Sequence, residues 1–239
     1  MVQAGQFGKL QKGVTINEKH ETFCYSFTAD SSIIGGPTNN GGIALQWLKD
    51  LLNDEGSFEE FLKEAERVAP GAEGIVFFCR TLTGKRAPLW NQRAKRKFFY
   101  GVTLTHKKKE HFIRAVLEGI TFNLYQIGKA LERLAGSPKR IYVNGGLARS
   151  GLWLQMMADI FEAEIYVSES HHSAAWGAAW TALVGINKVH SFEEIKGNIP
   201  LGQAVLPNKE SSVIYQKVYE QYAQLVKDLS KYFFRRLER

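Results

Sequence analysis

A chain of 239 residues with 44% hydrophobic side chains can bury a full core, and its length accommodates one large domain or two small ones, of which one is expected. The formal charge of +7, with a pI near 9.3, is spread along the chain without an RNP, zinc-finger or helix-turn-helix pattern, which argues against nucleic acid and suits anionic small molecules. No run approaches the roughly 18 apolar residues that span a bilayer, and the start, MVQAGQFGKLQKG, lacks an apolar signal core, so a soluble cytoplasmic protein with no membrane partner is expected. In chain order, the aromatic and β-branched run 22–28 predicts a strand, and Gly35-Gly36-Pro37 after it reads as a turn. Apolar residues at helical spacing over 43–52 predict a helix, and Ser57-x-x-Glu60 is a capping box that opens a second, with Phe58, Phe61, Leu62 and Ala65 inward.

Residues 74–78 predict a short buried strand, followed by a polar and basic loop over 80–97 that carries Pro88 and Trp90. A further strand is expected over 98–104, with Thr105 capping a long helix that ends near Gly136 and Pro138. Lys107, Lys108 and Lys109 oppose the dipole of that helix, which means solvent exposure or attraction to a nearby anion, with exposure favoured. From Arg140 the pattern alternates strand and helix: a strand over 141–143, a glycine turn, a helix to Phe161, a strand over 165–167, and a small-residue helix over 174–184 suited to close approach to a neighbour. The segment 213–237 predicts a docking helix with Ile214, Val218, Leu225 and Leu229 on one stripe, flanked by Tyr222, Tyr232 and Phe233.

The two cysteines, Cys24 and Cys79, form no CxxC pair and lack zinc-ligand spacing, so they are expected to be reduced core thiols, with no metal site. His171 and His172 read as loop histidines, and Arg235-Arg236 as a solvated cluster. Asp159 and Glu118 fall within helices, where Arg114 can pair with Glu118 at i+4, so neither is a general base.

Two features carry ligand chemistry. The run Asn144-Gly145-Gly146-Leu147-Ala148-Arg149-Ser150 joins a buried strand to a helix. Glycines there let backbone approach a nucleotide phosphate or ribose, although many such turns carry glycine only to make the bend. Gly42 and Gln46, at i and i+4, share a helix face and could offer a flat platform with one amide; a glycine at a helix start with a surface Gln is the equal alternative.

Taken together, GGIALQWLKD, the segment from Gly84 ending in PLW, FYGVTLTHKKKEHFIRAVLEGI, NGGLARSGLWLQMMADIF and SAAWGAAWTA resemble, in family order, the FGGY carbohydrate kinases. The resemblance runs from about Thr22 to the C-terminus and implies an α/β, ribonuclease-H-like/actin-like ATPase domain, a mixed sheet flanked by helices, in which 22–239 form the nucleotide-binding C-terminal domain and 1–21 a remnant of a preceding domain or a tail. By position, Gly42 and Gln46 match residues lining the nucleotide in related glycerol kinases, Gly146 matches a glycine beside ADP, Ser150 replaces a frequent Asn near adenine, and Gly145 supports the turn. The implied cofactor is ATP or ADP with Mg2+, the metal having no ligand nameable in this chain.

Asn39 and Asn40 ahead of the glycines look most like gluconate kinases, with xylulose, glycerol and other polyols still open as acceptors. The catalytic Asp and the Gly-Thr phosphate segment of the family lie upstream of Met1, so no catalytic residue is assigned; a sugar or sugar acid would be held through the N-terminal domain, and a homodimer is left open. Lys85, Asn91 and Lys97 depart from the family's frequent Glu, Asp and Gly. The chain is thus expected to be half of an ATP-dependent, gluconate-type kinase, or alternatively a non-catalytic nucleotide-binding or regulatory module or an inactive remnant.

Overall fold

The computed structural model describes residues 5–15, 22–38, 41–79, 97–169, 173–192, 194 and 201–234. Strand β1 (Gly5–Lys12) pairs antiparallel along its whole length with β3 (Ser31–Thr38), whose other edge takes β2 (Phe23–Ser26), giving the order β1-β3-β2. The first 21 residues, set apart above as a remnant or tail, therefore contribute a strand to the first sheet. Gly35, Gly36 and Pro37 are not a turn but part of β3. A Cβ at Gly35 would lie 2.6 Å from Phe23 Cζ, and one at Gly36 would lie 2.5 Å from Ile127 Cγ2. The glycines serve close packing inside a strand, a role that turn chemistry does not distinguish.

Helix α1 (Gly42–Leu51) buries Ala44, Leu45 and Leu48, and α2 (Phe58–Glu64) opens with the expected capping box. Ser57 Oγ accepts from the Glu60 N–H at 3.2 Å while Glu60 Oε2 accepts from the Ser57 N–H at 2.9 Å. Phe61, Leu62 and Ala65 are buried, as predicted, and Phe58 is half-buried. Strands β4 (Val76–Cys79) and β5 (Lys97–Tyr100) form an antiparallel pair. Cys24 is free and partly buried on β2 rather than a fully buried core thiol.

The central element is α3 (Lys109–Ala135), which packs against β1, β3, β4, α1, α2 and α4 and ends where Gly136 takes φ 76°. A methyl at Gly119, in its middle, would strike the Phe77 carbonyl oxygen and ring. Backbone cannot yield as a flexible side chain can, so Gly119→Ala is expected to lower stability by about 1–3 kcal/mol despite the better helix propensity of alanine. The shift in urea midpoint measures this, and an unchanged or raised midpoint would refute the close packing of α3 on β4.

Thr105 does not cap α3. Its hydroxyl lies 2.6 Å from Thr103 Oγ1 in the preceding turn, and Lys108 is the N-cap residue, without a side-chain cap. Lys107 and Lys108 are exposed, but Lys109 Nζ lies 2.7 Å from Asp54 Oδ2 and 3.8 Å from Glu64 Oε1, so an anion of the protein itself takes the charge nearest the helix. The hydrogen bond from Lys109 is the largest cause holding the Asp54 carboxyl below the usual aspartate range, against a smaller opposing effect of burial. A depressed carboxyl contributes stability at pH above its unfolded value and loses that contribution as pH falls through its folded one. Asp54→Asn is therefore expected to flatten the acid limb of a stability-versus-pH curve; an acid limb identical to the parent's would show that the pair is too solvent-screened to matter.

Beyond α3, β6 (Arg140–Val143) and β7 (Glu164–Val167) pair in parallel across α4 (Gly151–Phe161), followed by α5 (Ser173–Gly185) and α6 (Lys209–Phe234), so the predicted α/β alternation is present. Two expectations about these helices change. Among the described residues nothing lies within 4 Å of a Cβ at Gly177, and Ala178 and Ala179 are exposed, so α5 makes no close small-residue contact. On α6 the buried face is Tyr215 and Tyr222, while Ile214 is 42% exposed. Tyr222 stacks on Phe78 at 5.1 Å and meets Phe122 at 5.4 Å, an aromatic surface that matches rings better than a branched aliphatic stripe. No helix among the described residues is long and apolar enough to cross a membrane.

Candidate functional site

The amino ends of α1 and α4, together with α2, α3, β6 and β1, surround a cavity of about 680 Å³. Its polar lining includes Gly42 and Gln46 from α1, Gly146, Arg149 and Ser150 from the β6–α4 connection, and Lys63 from α2. Its apolar lining includes Phe7, Ile120, Leu124, Ile141, Val143 and Met157.

The β6–α4 connection has its shape from two residues. Gly145 stands at φ 103°, a conformation that favours glycine, and its carbonyl accepts from the Ala148 N–H at 3.2 Å to close a short 3-10 turn, Gly146–Arg149. Ser150 then caps α4, its Oγ accepting from the Trp153 N–H at 3.3 Å. Trp153 fixes the helix to the core by donating its indole N–H to Thr121 Oγ1 at 3.0 Å. At Gly146 itself nothing lies within 4 Å of an added Cβ, so its α-carbon faces open space on the cavity wall.

Across the cavity, α1 starts from Gly41 without a side-chain cap. Its first N–H groups carry the positive end of the helix dipole and suit an anion. One turn on, Gln46 donates to Asp50 Oδ1 at 2.7 Å, which steadies its amide and leaves the carbonyl oxygen as an acceptor.

The structure thus brings Gly42, Gln46, Gly146 and Ser150, from segments distant in sequence, onto one cavity; Gly145 does not line it and acts through the backbone of the turn. Asp159 and Glu118 are buried and engaged elsewhere. Asp159 Oδ1 accepts from Gln155 Nε2 at 2.8 Å and the Asn208 N–H at 2.7 Å, and Arg114 Nε donates to Glu118 Oε1 at 2.9 Å, the i+4 pair read from sequence. Lys85, Asn91, His171, His172 and the Arg235-Arg236 cluster lie outside the described residues, as do Asn39, Asn40 and the loop carrying Pro88 and Trp90. Among the described residues no three His, Cys, Asp or Glu side chains group as metal ligands.

Sequence reasoning missed Lys63, Arg149 and Tyr142 as cavity residues. For Tyr142 a signal existed. Ile141 and Val143 are inward and Arg140 and Tyr142 outward, a period-two alternation that puts the tyrosine on the open face of β6.

Residues 19–186 match the FGGY family of carbohydrate kinases, C-terminal domain. The chain belongs to that family. An FGGY relative named gluconokinase, from Bacillus licheniformis, is 42% identical over 224 residues, covering 89% of this chain and 43% of that protein. A xylulose kinase of Staphylococcus epidermidis is 33% identical over 193 residues, covering 80% of this chain and 38% of that protein. The crystal structure of a gluconate kinase from Lactobacillus acidophilus superposes with a TM-score of 0.88 at 28% identity, covering 98% of this chain and 47% of that one. The fold is the actin-like ATPase fold of the FGGY kinases, as the resemblance implied, and the chain spans less than half the length of these relatives.

Proposed function

We propose that the cavity between α1 and the β6–α4 turn binds ATP or ADP, and that the chain is the nucleotide-side domain of a gluconate-type carbohydrate kinase. The observation that carries this is the convergence of Gly42, Gln46, Gly146 and Ser150 on one cavity, with open space where a side chain at Gly146 would stand. The residues fit a nucleotide. The uncapped first turn of α1 offers N–H groups to phosphate oxygens, the bare backbone at Gly146 permits close approach, and the apolar wall suits a base or ribose face. Gln46 and Ser150 supply the polar atoms that orient it. No triad of metal-ligating side chains is described here, which fits a magnesium ion carried on the phosphates and largely hydrated.

A bound nucleotide supplies the phosphoryl group; the chain's residues hold and orient it, keep water from the buried wall, and leave its terminal phosphate toward an acceptor. The carboxylate that would take the acceptor's hydroxyl proton is not among the residues assigned here, so we place it, with the sugar or sugar-acid site, on polypeptide corresponding to the rest of the longer relatives. The unit that folds around the nucleotide is taken to include β1, since Phe7 lines the cavity. Calorimetric titration with Mg-ADP tests the reading. Saturable binding at millimolar or lower ADP, without turnover of ATP and gluconate by this chain alone, is the expected result. No binding would overturn it and leave an inactive remnant, whereas turnover by the chain alone would overturn the placement of the base.

A further inference from the structure

The cavity wall holds an unexplained feature. Among the described residues β1 pairs only with β3, and β6 pairs only with β7, so each strand presents one bare edge. Both strands line the same cavity, Phe7 from β1 and Ile141 and Val143 from β6. Beneath them α3 and α4 form one floor: Ile120 and Leu124 come from α3, Met157 comes from α4, and the Phe7 ring stacks on Phe161 of α4 at 5.2 Å. Two sheets therefore rest side by side on one helical layer with an apolar slot between their facing edges.

We propose that this slot receives an extended β-strand from another polypeptide, which pairs with β1 on one side and β6 on the other and joins the two sheets into one. Two physical requirements define the occupant. Unpaired N–H and C=O groups in an apolar cleft need partners, which a strand supplies along its whole length. The floor, made of isoleucine, leucine and methionine, selects apolar side chains at every second position of that strand.

A second copy of this chain does not meet these requirements. Each of the seven described strands is already paired on at least one edge, and a strand inserted between β1 and β6 must be bare on both. The relatives, by contrast, carry more than as much polypeptide again as the part they share with this chain. The occupant is assigned to that additional polypeptide. This inference does not rest on nucleotide binding, because it uses the two strand edges and not the α1 and α4 amino ends.

The test uses synthetic peptides of about twelve residues, somewhat longer than a typical strand, tiling the part of the Bacillus licheniformis gluconokinase outside its match to this chain. Each is mixed with the full chain and backbone amide exchange is followed. One peptide is expected to slow exchange at least about tenfold at both β1 and β6, while ADP slows exchange at the starts of α1 and α4 instead. Leu124→Trp, which fills the floor, should abolish the peptide effect; if that variant unfolds, the peptide series on the parent chain still decides. Protection of one edge only, or of neither by any peptide, overturns the proposal, as does a dimer of the chain alone with both edges already protected.

Discussion

Titrated with Mg-ADP, the Gly146→Asp chain is expected to bind more than about 100-fold more weakly than the parent, while unfolding at the same temperature. The two halves of this expectation have separate causes. Stability is kept because nothing lies within 4 Å of the new Cβ and Gly146, unlike Gly145, does not sit at positive φ. Affinity is lost because a carboxylate is placed on the cavity wall where phosphate oxygens are proposed to lie, and like charges brought together at a partly desolvated interface cost several kcal/mol. Gly146→Ala adds bulk without charge and should fall between parent and Asp. If the Asp variant binds ADP as the parent does, the nucleotide lies elsewhere and the assignment of Gly146 fails.

The largest loss of stability is expected from Arg114→Ala, about 3–5 kcal/mol. Arg114 and Glu118 are 5% and 2% exposed, and the carboxylate accepts from both Arg114 Nε and the Gly71 N–H, each at 2.9 Å. Arg114 also donates to the Tyr215 hydroxyl and reaches the Ala65 carbonyl, so one side chain ties α3 to α6 and to the turn after α2. Burial raises the Glu118 carboxyl above the usual glutamate range, with Arg114 the main opposing influence. Removing the guanidinium strands an anion in the core, whereas replacing both partners with methionine removes the charges together and should recover most of the loss. Tyr215→Phe, which deletes a single hydroxyl, is expected to cost only about 0.5–2 kcal/mol. Urea unfolding of the three variants decides: a loss below about 1 kcal/mol for Arg114→Ala would mean that the pair behaves as a surface ion pair.

How much of this was legible beforehand follows from how far apart the interacting groups lie. The capping box at Ser57 and Glu60, the Gly136 end of α3, the Arg114–Glu118 pair and the strand–turn–helix order from Arg140 were all readable, because each depends on bonds or burial repeating within a few residues. The family, too, was readable from ordered segments, whereas the contribution of β1 to the first sheet was not, since its partner Ser31–Thr38 lies beyond an intervening strand. Thr105 failed as a cap because Thr103 and His106 offered its turn a competing set of local hydrogen bonds.

The sequence by itself determined the helices, their ends and the glycine turn with its Ser150 cap. Tertiary structure alone decided what those pieces mean together. Gly35 and Gly36 became strand residues because Phe23, Phe7 and Ile127 press against them, and α6 turned Tyr215 and Tyr222 inward because rings on β4 and α3 were there to receive them. Gly42 and Gly146 came to share a cavity only because α3 holds α1 on one flank and α4 on the other. Backbone conformation is set by neighbours within a turn; which faces meet is set by packing among residues far apart in the chain, and the cavity exists only after that packing is complete.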